Sequence, residues 1–267
     1  MPRTPRVAEH ISPNSKEEDE ANLPLPFSFD LGEAMRTGIF ISGTSGYGKT
    51  NLAFHLVEEM MRNGVGVNVF DPSQAWQNSG IPVAHQFRDY EDFSEKDYPK
   101  EKSIVYDISL LYVEQQKEVM TSIVRDMFNR STRLKNRPRR VFVFEECQLL
   151  VPQGRLQSTE AQEVLRLMTV GRNFNLRFIL ITQRPATVDK TAVSLCGQKY
   201  LGRVDEMNDI RYLRNWIGDW VEKLPSLSIG EFVYSKGNEM EVIQTPLFVP
   251  APPPKKKQSL LRRIIGV

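Results

Sequence analysis

The sequence predicts an α/β fold: a mostly parallel β-sheet with helices on both faces. Short apolar stretches of strand length alternate along the chain with longer stretches of helical period. Strands that are apolar on both faces indicate a parallel sheet that helices cover on both sides. A glycine-rich loop joins the first of these strands to the first long helix, as in many α/β proteins.

Six apolar segments are the predicted strands of this sheet, and polar residues follow most of them. Ligands of parallel α/β sheets bind beyond the carboxyl ends of the strands, so these polar residues are functional candidates as a group. The predicted strands span residues 39–42, 65–70, 104–106, 141–144, 178–181 and 200–201. The polar residues that follow them are Asp71, Asp107, Glu145, Glu146, Gln183 and Arg203.

Helices are predicted where apolar residues recur every three or four positions. Leu52, Leu56 and Met60 form such a stripe, in a segment that ends at an Asn-Gly pair. Near the C-terminus, two short strand-like segments flank a Lys-Gly-Asn turn and predict a small β-hairpin. The three predicted helices span residues 51–63, 111–133 and 160–170, and the hairpin strands span residues 231–235 and 240–244.

The loop after the first strand fits the phosphate-binding pattern G-x-x-x-x-G-K-[ST] at every fixed position. Its glycines let successive N–H groups point at phosphates, and the next helix presents its positive end to the same anion. Lys49 is expected to reach the β- and γ-phosphates, and the Thr50 hydroxyl is expected to bind Mg²⁺. A glycine-rich turn that fits by chance is the alternative. The predicted nucleotide-binding residues are Gly43, Thr44, Ser45, Gly46, Tyr47, Gly48, Lys49, Thr50 and Asn51.

Two adjacent carboxylates, Glu145 and Glu146, follow the apolar strand at residues 141–144. Hydrolysis of a nucleoside triphosphate needs one carboxylate near the metal and a group that deprotonates the attacking water. Neighbouring side chains on a strand point in opposite directions, so the two acids can divide these roles. We predict that Glu145 takes the metal side and Glu146 the water side. The alternative is a strand that simply ends in two solvated acids.

Three further residues are candidates for the hydrolytic site. Gln183 ends the strand predicted to lie beside the one carrying Glu145, where its amide can contact the γ-phosphate or the water. Arg172 precedes that strand, so it is expected at the opposite edge of the sheet, where a neighbouring copy could receive it as an arginine finger. An arginine that stabilises the end of its own helix is the alternative, and Arg203 is the rival for the finger role.

Taken together, these motifs resemble the HerA–FtsK superfamily of DNA-translocating ATPases over roughly residues 35–248. Beside the phosphate loop and the two acids, Gln183-Arg184-Pro185 after a buried strand is the discriminating element. The remaining similar segments are Asp71-Pro72 with Trp76, residues 144–152 (FEECQLLVP), residues 171–185 (GRNFNLRFILITQRP) and residues 226–234 (SLSIGEFVY). The first acid departs from the pattern, since Glu145 stands where the superfamily usually has Asp.

The resemblance implies a RecA-like P-loop core that uses ATP and Mg²⁺, and a hexameric ring with double-stranded DNA in its central pore. Few residues precede the core, which resembles the genome-packaging ATPases of membrane-containing icosahedral viruses, including those of archaea. The leading hypothesis is therefore packaging of a viral genome into a preformed capsid, with a capsid or internal-membrane portal component as a partner. We expect the host cytoplasm, and association with the virion vertex, as the location. A cellular or plasmid translocase or helicase, and an ATP-dependent switch that moves no DNA, are the alternatives.

Composition and tails set the remaining expectations. The 267 residues are 40% hydrophobic with a net charge of +2, so charge alone does not indicate a nucleic-acid binder. Basic residues concentrate at 130–140 and 255–263, as a solvated surface or as phosphate contacts. Two cysteines give no disulfide framework, and no apolar run predicts membrane insertion. The predicted organisation is a flexible tail (1–22), one P-loop ATPase domain (23–250), and a Pro/Lys-rich linker with a C-terminal tail (251–267).

Overall fold

A computed structural model describes residues 25–27, 29–86, 103–154 and 158–250. The predicted N-terminal tail (1–22) and the predicted linker and tail (251–267), with its basic cluster, lie outside the described residues. Within the described part of the chain, no helix is both long enough and apolar enough to cross a lipid bilayer.

The described strands are β1 Leu25–Pro26, β2 Ile39–Ser42, β3 Gly66–Asp71, β4 Val83–Gln86, β5 Ile104–Asp107, β6 Arg140–Phe144, β7 Leu176–Thr182, β8 Gln198–Leu201, β9 Glu231–Lys236 and β10 Glu239–Gln244. They form one sheet in the order β1-β10-β9-β8-β2-β7-β6-β3-β5-β4. The seven strands from β8 to β4 run parallel, whereas β9 is antiparallel to both β8 and β10. The mostly parallel sheet predicted from the sequence is confirmed.

Six α-helices accompany the described strands, and the three long ones are those predicted. The helices are α1 Leu31–Arg36, α2 Lys49–Arg62, α3 Val113–Arg133, α4 Thr159–Gly171, α5 Lys190–Ser194 and α6 Met207–Ile217. The predicted hairpin is also present as β9 and β10. It is not a separate unit, because β9 pairs with β8 and continues the central sheet.

Alternating side chains of the central strands build two apolar layers, one on each face of the sheet. On one face, Phe70 stacks on Phe144 with ring centroids 5.1 Å apart, and Phe142 stacks on Phe178 at 5.6 Å. This layer packs against α3 and α4. On the other face, smaller side chains such as Val69 and Val143 pack against α2. Both layers are buried, which explains why the central strands carry apolar residues on both faces.

The segment after β10 crosses α2 close to the glycine-rich loop. The Asn51 side chain clamps it, because its Nδ2 donates to the Pro246 carbonyl (2.8 Å) and its Oδ1 accepts from the Phe248 N–H (2.7 Å). The Phe248 ring packs on Phe54, with centroids 5.2 Å apart. The amide of Asn51 is therefore committed to the chain's own backbone, and a contact of Asn51 with a nucleotide would come from its backbone N–H.

Candidate active site

Positive φ angles at three glycines shape the loop between β2 and α2. Gly43, Gly46 and Gly48 have φ of 148°, 82° and 94°. A Cβ at Gly43 would lie 3.1 Å from the Cα of Gly202, so close approach excludes a side chain there as well. The first backbone bond of α2 runs from Leu52 N–H to the Gly48 carbonyl. The N–H groups before Leu52 are the unpaired donors of a helix start, a binding site for phosphate oxygens.

Lys49 lies inside this loop, and its ammonium group curls back onto it. Its Nζ donates to the Thr44 carbonyl oxygen at 3.2 Å, and the residue is 8% exposed. Burial lowers the pKa of Lys49, while the carboxylates of Glu146 and Glu145 act in the opposite direction. A phosphate group would offer this cation a stronger partner than a single carbonyl.

Thr50 and Glu145 meet at the predicted metal position. Thr50 Oγ1 donates to Glu145 Oε1 at 2.9 Å, and Trp76 Nε1 donates to Glu145 Oε2 at 3.3 Å. Burial raises the pKa of Glu145 to about 7, although both hydrogen bonds oppose the shift. The Thr50 hydroxyl and the Glu145 carboxylate are adjacent oxygen ligands that fit Mg²⁺, which prefers oxygen and favours the ionised carboxylate.

Phosphate oxygens and water, rather than further protein side chains, would complete the coordination of the metal. Within the described residues, no group of three or more His, Cys, Asp and Glu side chains forms a metal cluster. This fits the usual mode of Mg²⁺ at nucleotides, with one or two protein ligands plus phosphate.

Asp71 and Asp107 are buried and organise turns. Asp71 Oδ2 accepts the N–H of Trp76 at 2.8 Å, which holds the indole against Glu145. Asp107 Oδ1 accepts the Ser109 hydroxyl at 2.6 Å. Of the strand-end acids predicted as a group, only Glu145 and Glu146 border the cavity beside the glycine-rich loop.

Glu146 carries an unusual backbone and two amide partners. Its φ of 53° and ψ of 51° lie in the left-handed region, which costs a non-glycine residue about 1–2 kcal/mol. Its Oε1 accepts from Gln183 Nε2 and its Oε2 from Gln148 Nε2, both at 2.7 Å. The strand carrying Gln183 pairs directly with the strand carrying the acids, as predicted. Strain of this kind persists where surrounding contacts fix a functional conformation.

The two candidate arginines lie at opposite ends of the sheet. Arg172 is exposed in a short 3₁₀ turn before β7, at the end away from the glycine-rich loop. Arg203 contacts that loop in its own chain: its carbonyl accepts the Thr44 N–H at 2.7 Å, and its guanidinium lies 5.2 Å from the Tyr47 ring centroid. Asp205 holds the Arg203 side chain through Nε at 3.1 Å.

Part of the basic cluster at 130–140 is structural. Arg140 is buried and donates to Asn68 Oδ1 at 2.8 Å. Arg137 and Arg139 donate to the backbone carbonyls of Asn173 and Asn63 at 2.9 and 2.6 Å. The cluster lies at the same end of the sheet as Arg172, where β6 and β7 begin, and its contact with phosphates stays a prediction.

Two cavities meet at Gln183. The first, about 380 Å³, is lined by the glycine-rich loop, Glu145 and Glu146. The second, about 400 Å³, is lined by Thr44, Arg184 and a set of acids. Those acids are Asp205, Glu206 and Asp209. The side chain of Gln183 lines both cavities, so it forms part of the wall between them.

Gln148 and the indole of Trp76 belong to this site, although the sequence reasoning assigned neither a role. In the sequence, Trp76 marks only a similarity to a superfamily, and Gln148 lies within the similar segment at residues 144–152. Both act through the carboxylates that were predicted. A polar residue two positions after Glu146 was the available signal for Gln148.

The sequence match to a curated protein covers about a third of the chain. The chain matches no protein-family model. A stretch of 96 residues is 34% identical to "Probable helicase MJ1565" of Methanocaldococcus jannaschii, and the match covers 34% of this chain and 18% of that protein. The chain thus spans less than a fifth of the length of this relative.

Solved structures are similar over most of the chain. The genome packaging NTPase B204 of Sulfolobus turreted icosahedral virus 2, in complex with AMPPCP, is 15% identical with a TM-score of 0.62, over 80% of this chain and 100% of that one. The chain has the fold of this NTPase. VirB4 of Thermoanaerobacter pseudethanolicus is 13% identical with a TM-score of 0.59, over 80% and 89% of the two chains. The P-loop fold expected from the HerA–FtsK resemblance is confirmed.

Proposed function

We propose that this chain is an ATPase that uses hydrolysis to translocate double-stranded DNA. The ATPase activity is proposed from one arrangement of hydrogen bonds. Thr50 bonds to Glu145, and Gln183, directly after the adjoining strand β7, bonds to Glu146. A metal-side carboxylate and a water-side carboxylate thus lie next to a phosphate-binding loop. This is the arrangement that phosphoryl transfer to water requires.

The residues divide the reaction between them. Backbone N–H groups of the loop and Lys49 bind the phosphates, and Thr50 with Glu145 would hold Mg²⁺, which neutralises charge on the β- and γ-phosphates when bound. Glu146 accepts a proton from water as the water oxygen bonds to the γ-phosphorus. The bond from that phosphorus to the β–γ bridging oxygen breaks, and ADP keeps the bridging oxygen.

Translocation of DNA by a ring rests on a different set of observations. Arg172 is exposed at the end of the sheet opposite to its own loop, where it is available to the loop of a neighbouring copy. DNA as the substrate is supported by the likeness to the structure of B204, the DNA-packaging ATPase from Sulfolobus turreted icosahedral virus. A hexameric ring around the DNA is what the resemblance to the HerA–FtsK superfamily implies.

We propose that the biological role of this translocation is packaging of a viral genome into a preformed capsid, with a portal component at the virion vertex as a partner. The likeness to B204 supports it. The likeness to VirB4 and the partial match to a probable helicase favour a cellular or plasmid translocase as the second candidate.

ATP turnover with and without duplex DNA, together with solution mass, tests the proposal. We expect DNA to stimulate turnover and the mass to indicate a ring. Turnover indifferent to duplex DNA would favour a nucleotide-dependent switch. Glu146→Gln should still bind nucleotide and lose about 10²–10⁴-fold in kcat, the contribution of a general base. Glu114→Gln, at an exposed acid on α3, is the matched control; retained turnover in Glu146→Gln would remove the base assignment.

A further inference from the structure

Both oxygens of the Glu146 carboxylate accept a hydrogen bond from a glutamine amide. Gln183 Nε2 donates to Oε1 and Gln148 Nε2 donates to Oε2, each at 2.7 Å. A water molecule that is to give its proton to Glu146 must compete with these amides. The two glutamines differ in how firmly they are held, and this difference assigns them different roles.

Gln148 is fixed in one orientation by a third residue. Its Oε1 accepts from the Thr182 hydroxyl at 2.8 Å. Thr182 is fully buried, and its Oγ1 also accepts the N–H of Arg184 at 3.0 Å. A hydroxyl that accepts from a backbone N–H has its own hydrogen left to donate. The Gln148 oxygen therefore faces Thr182, and its NH₂ group must face Glu146.

Gln183 has no such support. Its side chain is exposed and borders both cavities, and it donates a hydrogen bond to Glu146. The phosphate loop lies across the first of these cavities. A γ-phosphate there would offer the amide a charged acceptor in place of Oε1.

We propose that Gln148 is a positioning residue that permanently holds Oε2 of Glu146, while Gln183 is a releasable partner that leaves Oε1 when a γ-phosphate binds. This inference rests on the proposed ATPase activity. Oε1 then receives the proton of the attacking water, with the carboxylate kept in line by Gln148. After hydrolysis, ADP presents no γ-phosphate, and Gln183 returns to Oε1.

The test separates kcat from nucleotide affinity. Gln148→Leu keeps the size of the side chain and removes the donor, so we expect kcat to fall about ten- to a hundredfold while ATP affinity changes less than about twofold. Gln115→Leu on α3, which removes the bond from the Tyr112 N–H to Gln115 Oε1, is the control for loss of one glutamine contact that does not involve Glu146, and it should leave kcat unchanged. Loss of ATP affinity in parallel with kcat would indicate general damage and would overturn the positioning role.

A second variant acts on Gln148 without altering it. Thr182→Val should lower kcat in the same direction, and Thr182→Ser should rescue it because the hydroxyl returns. Gln148→Leu combined with Thr182→Val should lose less than the product of the two single losses, because both remove the support of Oε2 and only the loss of the acceptor of the Arg184 N–H is separate. Additive losses would overturn the inference. If Glu146→Gln is inactive but Gln148→Leu turns over as wild type, only this inference fails; if Glu146→Gln stays active, the proposed base fails instead.

Discussion

Replacing Glu145 by glutamine should make the protein without metal and nucleotide more stable at high pH. Burial raises the pKa of the Glu145 carboxyl from its ordinary 4.5 to about 7. Because the pKa in the folded protein exceeds that in the unfolded chain, the contribution to stability is fully present below pH 4.5. It is lost as the pH rises through 7, where a buried carboxylate must ionise beside Asp71 and Glu146.

The size of the effect follows from the two pKa values. Between pH 5 and pH 8, ionisation of Glu145 lowers the free energy of unfolding by about 2.5 kcal/mol. For a chain of this size, that corresponds to a shift of about 5–10 °C in Tm. Glutamine keeps the shape and can still contact Thr50 and Trp76, but it does not ionise. The variant should therefore lose less stability than the wild type over this pH range.

Denaturant unfolding at pH 5 and pH 8, without Mg²⁺ or nucleotide, measures the difference. From pH 5 to pH 8, the free energy of unfolding of Glu145→Gln should rise by about 2.5 kcal/mol relative to that of the wild type. The free energy of unfolding of Glu114→Gln should not change relative to the wild type over the same range. Saturating Mg²⁺ and ATP should reverse the order, since ligand at about 100 times Kd stabilises the wild type by about 2.7 kcal/mol and the variant by less. An equal difference between variant and wild type at both pH values would refute the reasoning.

Two other predictions concern Arg172, the candidate arginine finger, and Gly230, a tightly packed glycine. Arg172→Ala should lose turnover alone but regain part of it when mixed with Lys49→Ala subunits, because each supplies what the other lacks; no recovery in the mixture would place Arg172 in its own subunit or in a structural role. Gly230→Ala should destabilise by about 1–3 kcal/mol more than Gly237→Ala in thermal unfolding, because an added Cβ would lie 3.1 Å from the Thr245 carbonyl oxygen at Gly230 and meets no atom within 4 Å at Gly237. Both glycines have positive φ, so backbone strain alone cannot separate them, and equal losses would contradict the proposed clash.

Periodicity and strand-end chemistry predicted the centre of the fold well. The six predicted strands all occur, because strands buried on both faces carry their signal in every residue. The short helix α1 was not predicted, since its six residues give little period and its start depends on the Asp30 side chain accepting the Glu33 N–H. Nor was β4 predicted, a strand of only four residues at the edge of the sheet.

The sequence indicated candidate residues of the site but not the hydrogen bonds between them. The structure places Glu145 against Thr50 and Glu146 against Gln183, and the roles expected of the two acids stay predictions. Asp71 was a candidate on the same grounds, yet it supports the turn that carries Trp76. A strand-end carboxylate reads the same in sequence whether it caps a turn or faces a ligand, because the difference depends on which neighbouring N–H groups the backbone aims at it.

The layer of stacked phenylalanines beneath the site limits how the molecule can respond to its ligand. Phe70, Phe142, Phe144 and Phe178 join β3, β6 and β7 into one block. Interiors packed in this way are nearly incompressible, so the ends of these strands keep their spacing whether two or three phosphates are present. The sheet therefore keeps its geometry when the ligand is shorter by one phosphate. Such a ligand alters only which polar groups at the ends of these strands find a partner.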